Sequence, residues 1–390
     1  MEFLGKHTDY AGGRSLLCAV ERGVHLVAAP RVDARLRITD AGTGDVAQLE
    51  LRKDPPPAPR RGWADYPGTV ARRLARNFPG PPPPRGADLA FASDLPPAAG
   101  MSSSSALIVA TFVALADVNG LEQRPEYAAA IRGPEDLAGY LGAVENGERF
   151  GPFSGDAGVG TAGGSEDHAA ILCSKPGTLR QFAFCPVRAE RDVPLPAGHV
   201  LAIAVSGVVA DKTGTKRAEY NRAAHGAALM LDAWRAATGR GDGSLAAALA
   251  SAPDAAAQLR HLVDPALHPR LEQFLAESTE IIPAAGDALA RGDTAALGPL
   301  VDRSQRLAES GLGNQIPETI ALARDARRLG AAAATAFGAG FGGSVWALVE
   351  LRAAPAFVER WSAAYGKAFP GRARAAEFFV SGAGPGLLRL

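Results

Sequence analysis

Four short stretches of the chain combine residue types suited to chemistry on a small polar molecule. In Asp94-Leu-Pro-Pro-Ala-Ala-Gly-Met-Ser-Ser-Ser-Ser-Ala106, small residues and four consecutive serines stand between two apolar runs. Small residues let backbone approach phosphate, a helix's first turn offers unpaired N–H groups at the positive end of its dipole, and serine hydroxyls bond phosphate or ligate Mg2+. The stretch has no Walker-type lysine, and serine is equally a favoured N-cap, so a phosphate cradle and a plain helix cap both stay open here. Gly338-Ala-Gly-Phe-Gly-Gly-Ser344 has glycine at four of seven positions, which serves a tight turn or close approach to a ligand equally well. Lys6-His-Thr-Asp-Tyr10, followed by Gly12-Gly13, supplies the mixed donors and acceptors of a polyhydroxyl-binding site, or of a polar surface turn. In Gly163-Gly-Ser-Glu-Asp-His168 the carboxylates occupy the first turn of a predicted helix, where the helix dipole alone favours acids. Upstream, Glu145-Asn146 closes another helical pattern, a place where glutamate also serves as solvated surface.

Hydrophobic periodicity predicts the elements that position these stretches. Apolar runs over residues 14–40 (Leu16 to Val20, Val24 to Ala29, Val32 to Ile38) suit strands of a half-buried sheet, so the chain starts in a β-rich region. The proline runs Pro55 to Pro59 and Pro79 to Pro84 must be loops, with a short helix between them over Tyr66 to Phe78. Ala87 to Ser93 predicts a strand, Ser104 to Val118 a buried helix, Glu126 to Phe150 a further helix, and Ser165 a helix start. His199 to Ala210 predicts a buried strand, residues 217–330 are helical in pattern, and Phe341 to Leu351 returns to strand. The pattern predicts an α+β N-terminal half, residues 1–190, and a helix-rich α+β C-terminal half, residues 191–390.

Composition narrows the partners. The 390 residues are 47% hydrophobic and 21% charged, with 41 Lys+Arg balancing 41 Asp+Glu, enough to bury a large core and too neutral to attract nucleic acid or acidic membranes. Three cysteines, Cys18, Cys173 and Cys185, lack paired metal-ligand spacing and predict reduced thiols. No run reaches the roughly 18 apolar residues of a membrane span, and the first residues carry charges in place of a signal-peptide core. The expectation is a cytoplasmic protein acting on small molecules, a monomer or weak homo-oligomer.

In order along the chain, His7-Thr-Asp-Tyr-x-Gly-Gly, Leu95-Pro-Pro-Ala-Ala-Gly-Met-Ser-Ser-Ser-Ser-Ala106, Gly163-Gly-Ser-Glu-Asp-His168 and Gly338-Ala-Gly-Phe-Gly-Gly343 resemble the motifs of the GHMP sugar and mevalonate kinases, and within them the galactokinases. Trp63-Ala-Asp-Tyr66 resembles that family's Trp-Ala-Asn-Tyr, Ala218-Glu-Tyr220-Asn221 falls where it carries a substrate tyrosine, and Phe378-Phe379 through Leu390 resembles its closing segment. The resemblance implies a two-lobed GHMP kinase fold with ATP and sugar in its cleft and phosphoryl transfer to the anomeric hydroxyl, giving a sugar 1-phosphate. It implies that Gly100, Ser102, Ser103 and Ser104 hold phosphates, that Ser103 and Glu145 ligate Mg2+, and that Asp167 accepts or orients the proton of the attacking hydroxyl. His7, Asp9, Gly164 and Tyr220 match positions that contact the sugar. Gly338, Gly340 and Gly342 support the phosphate and sugar pocket, and Trp63 lies near adenine.

The chain departs from the galactokinase pattern in three places. That pattern reads Gly-Arg-Val-Asn-Leu-Ile-Gly-Glu-His-Thr-Asp-Tyr, so its arginine falls immediately before Met1 and an upstream start is expected. Without it, a sugar and nucleotide sensor lacking turnover is an alternative. Lys6 replaces the glutamate that helps hold the sugar C6 hydroxyl; either its ammonium reaches solvent, or it pairs with a C6 carboxylate and the substrate is a uronic acid such as galacturonate. Extra residues, about Gly151 to Gly160, separate Glu145 from Asp167, which leaves Glu148 as an alternative Mg2+ ligand.

Overall fold

A computed structural model describes residues 1–54, 62–96, 99–209 and 217–390. The loop expected at Pro55 to Pro59, Pro97 and Ala98 in the Gly/Ser stretch, and Ala210 at the end of one expected strand lie outside the described residues. Packing divides the chain into two compact units, one comprising Met1–Glu21, Pro96–Met101 and Cys173–Leu390, the other Arg22–Leu95 and Ser102–Leu172. The boundary expected near residue 190 does not coincide with this division. The first residues belong with the C-terminal ones because Arg14–Leu17 runs antiparallel to Thr178–Ala183 and Phe3 stacks on Trp346.

In the unit of residues 22–95 and 102–172, a four-stranded sheet has the spatial order Val24–Pro30, Ala87–Ser93, Arg35–Asp40, Val46–Glu50. Its central pair is parallel and its outer pairs are antiparallel. Leu36 and Ile38 point into the core while Arg35 and Arg37 are exposed, the alternation of a sheet with one wet face. Helix Ser103–Asn119 buries Leu107, Ile108, Phe112 and Leu115, and stops where Gly120 turns left-handed at φ 58°. The single helix expected over Glu126 to Phe150 is two, Pro125–Ala130 and Pro134–Asn146. Proline lacks an N–H and forces the preceding residue out of the helical region, so Gly133 is extended and Pro134 begins a new helix. That second helix ends where Gly147 turns left-handed at φ 81°. Edge-to-face contacts of Tyr140 with Phe78, Phe112, Phe150 and Phe153 form an aromatic core beside it.

The other unit contains two antiparallel sheets. One has the order Glu2–Leu4, Arg14–Leu17, Thr178–Ala183, Arg188–Pro194; the other has Ala333–Phe337, Ser344–Glu350, His199–Val205, Glu377–Ser381. Strand His199–Val205 is covered on both faces, which explains its unbroken apolar run. Ala202, Ala204, Val345 and Ala347 pack against Phe357, Trp361 and Tyr365. The two sheets meet where the rings of Phe3 and Trp346 stack 4.0 Å apart and Trp346 Nε1 donates to the Phe3 carbonyl at 3.1 Å. A separate helical core gathers Met230, Trp234, Leu259, Leu271 and Phe274 around Ala11. Burial pushes the Cys18 thiol up to about 11, so at neutral pH it is a protonated core residue. Among the described residues no helix is long and apolar enough to cross a membrane.

Candidate active site

In the unit carrying helix Ser103–Asn119, the candidate carboxylates come together. Glu145, on the last turn of helix Pro134–Asn146, is 7% exposed. Its Oε2 accepts the Ser105 hydroxyl at 2.8 Å, and the same hydroxyl lies 3.5 Å from Asp167 Oδ2. His168 Nε2 sits 3.2 Å from Glu145 Oε2 without hydrogen-bond alignment, an electrostatic contact. Glu148, the alternative to Glu145, is exposed, and its backbone carbonyl accepts from Arg73 at 2.9 Å. The hydroxyl that meets Glu145 directly is that of Ser105, a residue not singled out from sequence. Two residues along a helix rotate a side chain by about 200°, so Ser103 and Ser105 face opposite ways.

Asn146 was not assigned a role from sequence, yet it sets the turn leading to Asp167. Its Oδ1 accepts from Thr161 Oγ1 at 3.0 Å and from the Gly163 N–H at 2.9 Å. Its Nδ2 donates to the Gly142 carbonyl at 2.9 Å and the Gly164 carbonyl at 3.2 Å. Gly164 thus presents its carbonyl to Asn146, and helix Glu166–Cys173 begins two residues later with Glu166 and Asp167 in its first turn. A Cβ at Gly142 would strike Ser165, so helix and turn touch backbone to backbone. Trp63, expected near adenine, packs edge-on against Phe91 with centroids 5.2 Å apart.

The Gly/Ser stretch is a cap only in position. Ser102 precedes the helix in left-handed conformation, φ 54°, and its side chain makes no capping hydrogen bond, so the first-turn N–H groups keep no side-chain acceptor from the cap residue. In the other unit, Gly100 packs against the second glycine stretch: a Cβ on Gly338 would meet the Gly100 carbonyl oxygen at 2.8 Å. Ser344 Oγ donates to the Ala99 carbonyl at 2.6 Å, joining segments 245 residues apart. Gly340 has φ 81°, and a Cβ there would collide with Asn314. Asn314, also unassigned from sequence, donates from Nδ2 to the Ala339 carbonyl and accepts the Phe341 N–H at 2.6 Å through its own carbonyl. Gly342 approaches the Val208 backbone as closely.

The His7–Tyr10 turn is held by buried polar side chains of the same unit. Ala339 O can only accept, so His7 Nε2 carries the proton it donates at 3.1 Å, and His7 Nδ1 lies within hydrogen-bond distance of Tyr10 Oη, 3.1 Å away. Arg270 donates to the His7 carbonyl at 2.6 Å, and Gln273 to the Lys6 carbonyl at 3.0 Å. The Tyr220 ring lies 5.7 Å from His7, so two of the expected sugar contacts are neighbours. Asp9 begins a short 3-10 turn and is buried. His7, Ser102 and Phe341 are all non-glycine residues with φ between 54° and 58°, one in each of three motifs.

Lys6 requires a correction. Its ammonium does not reach solvent: it is 1% exposed and lies 3.6 Å from Glu2 Oε1 and 3.3 Å from Ser304 Oγ. Glu277 reinforces this interior cluster, accepting from Ser304 Oγ at 2.9 Å and the Gly5 N–H at 3.0 Å. A buried lysine must be paired, and Glu2 four residues earlier pairs it. Sequence showed the charge reversal at Lys6 and gave no sign that Glu2 answers it.

The extra segment between Glu145 and Asp167 is braced on helix Asp65–Asn77. Asp156 pairs with Arg72 and lies 3.5 Å from Arg73 Nη1, while Arg76 donates to the Gly155 carbonyl at 2.9 Å. Burial raises the Asp156 pKa, but the Arg72 hydrogen bond, the Gly158 N–H and both guanidinium charges outweigh it and hold the carboxyl below its ordinary value. A depressed pKa stabilises the fold above the unfolded value, about 4, and this contribution is lost as pH falls through the folded one. Asp156→Asn is expected to cost about 3 kcal/mol at pH 7 by leaving the buried Arg73 charge without its carboxylate. Urea midpoints should also show that the difference from wild type shrinks toward pH 3; a constant difference would refute the linkage.

Comparison with known proteins identifies the family and the fold. The GHMP kinases N terminal domain matches residues 65–142 and the GHMP kinases C terminal domain residues 287–367. A galactokinase of Chloroflexus aggregans is 30% identical over 373 residues, covering 94% of this chain and 86% of the relative. One from Chloroflexus aurantiacus is 30% identical over 367 residues, covering 92% and 84%. The crystal structure of Lactococcus lactis galactokinase complexed with galactose superposes with a TM-score of 0.80 at 22% identity, covering 100% of this chain and 92% of that one. Methanococcus jannaschii mevalonate kinase gives 0.59 at 14% identity, covering 98% and 95%. The fold is therefore that of the GHMP kinases, and the chain belongs to the galactokinase family.

Proposed function

We propose that this protein transfers the γ-phosphoryl group of ATP to the anomeric hydroxyl of galactose, giving galactose 1-phosphate and ADP. The observation that carries the reading is the grouping of buried Glu145 and Ser105 with half-buried Asp167, beside a helix N-terminus whose cap residue makes no side-chain capping hydrogen bond. Family membership supports the substrates, since the curated relatives are galactokinases and the Lactococcus lactis structure was solved with galactose.

Asp167 orients or accepts the proton of the attacking hydroxyl as that oxygen meets phosphorus. Gly100 and Ser102–Ser104 hold phosphate oxygens through backbone N–H groups and hydroxyls. The donors around Glu145 are carboxylate and hydroxyl oxygens with a single imidazole, and Mg2+ is commonly held by one or two carboxylates plus substrate phosphates, so the residues fit that ion. Glu145 would hold it, with Ser103 on the phosphate side; the bound ion would offset charge on the phosphoryl oxygens. His7, Asp9 and Tyr220 bind the sugar, Gly164 shapes the approach to Asp167, and Gly338, Gly340 and Gly342 admit the ligand close to backbone. Trp63 flanks adenine. Lys6 acts from inside the protein, fixing the turn that bears His7 and Asp9.

Galactose, galacturonate and other hexoses offered with Mg2+–ATP test the reading through ADP release and phosphorus NMR. Galactose is expected to acquire phosphate at C1 and to be preferred over galacturonate by at least tenfold. If no sugar acquires phosphate, the proposed activity is wrong. If galacturonate is preferred, Lys6 must leave Glu2 to meet it, and the account of its burial fails.

A further inference from the structure

Ser105 lies one position beyond the serines expected to hold phosphate, and its surroundings differ from theirs. It is 1% exposed, whereas Ser102, Ser103 and Ser104 are half-buried. The helix places Leu107, Ile108 and Val109 in the core immediately after it, so alanine would suit the site by volume and polarity. A buried hydroxyl without a partner is costly, and this one finds its partners in carboxylates on two other helices: Glu145 Oε2 at 2.8 Å and Asp167 Oδ2 at 3.5 Å. It has one proton and two acceptors. The shorter distance assigns that proton to Glu145, and rotation about Cβ–Oγ carries it to Asp167 without any backbone movement.

We infer that Ser105 is a positioning residue for phosphoryl transfer, fixing the Glu145 carboxylate and setting its separation from Asp167. The inference rests on the kinase reading above and adds a residue to it. The hydroxyl ties together carboxylates that would otherwise repel, one on the last turn of helix Pro134–Asn146 and one on the first turn of helix Glu166–Cys173. His168, packed at 3.2 Å on the same Glu145 oxygen, limits where that carboxylate can turn if the hydroxyl is removed. Charge-assisted hydrogen bonds of this kind set orientation as well as energy.

Ser105→Ala tests the inference in the full chain. Its melting temperature is expected within a few degrees of wild type, because only one hydroxyl is lost. The kcat should fall about tenfold while KM for ATP and for galactose stays within twofold, since Ser105 touches neither ligand. Mn2+, used as the paramagnetic probe for the divalent site, should bind at least threefold more weakly in the presence of a non-hydrolysable ATP analogue, measured by EPR of the free ion. Ser105→Thr, which keeps the hydroxyl, should restore Mn2+ affinity and most of kcat. A Ser105→Ala protein with kcat and Mn2+ affinity both within twofold of wild type overturns the role. So does a parallel rise in both KM values at constant kcat, which would place Ser105 on the substrates. If wild type phosphorylates no sugar, the kinase reading fails, and the Mn2+ comparison still decides whether Ser105 positions Glu145.

Discussion

Asp167→Ala is expected to lower kcat by about 1,000-fold or more with little change in KM for ATP, the largest single loss in this protein. General-base assistance typically accounts for about 100- to 10,000-fold. Asp167 stands in the first turn of its helix, at the end of a turn held by three hydrogen bonds between Asn146 and residues Thr161, Gly163 and Gly164. Asp167→Asn should lose nearly as much, because an amide orients a hydroxyl but cannot take its proton. Rapid-quench measurement of the phosphoryl-transfer step separates this from slow product release. An alanine variant within tenfold of wild type in that step would remove Asp167 from the chemistry.

Glu145→Ala is expected to reduce kcat by about 100-fold or more at low Mg2+ and to recover partly as Mg2+ is raised, because loss of one carboxylate weakens cation binding. Glu148→Ala is expected to stay within twofold of wild type. Glu148 is exposed and its backbone faces Arg73, whereas Glu145 is buried against Ser105. Titrating Mg2+ at saturating ATP and galactose distinguishes the two. A Glu145→Ala enzyme with an unchanged Mg2+ requirement, or a Glu148→Ala enzyme with a raised one, would reverse the assignment.

Where sequence succeeded, one interaction dominated the local choice. Strand Ala87–Ser93 and helix Asp65–Asn77 fall where periodicity and bounding prolines put them, because apolar burial overrides every competing term there. Sequence failed where the deciding partner is distant. Thr178–Ala183 and Arg188–Pro194 carry too many polar residues to read as strands; their ladder partners and the Arg14–Glu190 ion pair at 2.8 Å make them so. The split at Gly133-Pro134 was available from local chemistry and was overridden by the long helical pattern around it. Within the site, Asp167 and Glu145 stood out by their motifs, and the structure brings both to the Ser105 hydroxyl. Ser105 was not, because four adjacent serines look alike until the helix fixes which of them faces the carboxylates. Lys6 was misread for a related reason: a charge on a turn suggests solvent, and only the fold shows Glu2 and Ser304 waiting for it.

The left-handed residues at His7, Ser102 and Phe341 bear on how far this enzyme can be hardened against heat. Each holds a conformation that costs a non-glycine residue of the order of 1 kcal/mol or more. Glycine at any of the three would relieve that cost, and a screen for thermal tolerance would be drawn to those positions. Each also lies in a motif that the proposed mechanism uses, and glycine would let its backbone path wander. Selection for heat resistance and selection for turnover therefore pull in opposite directions at these three positions, and gains in durability belong in the outer helices and loops.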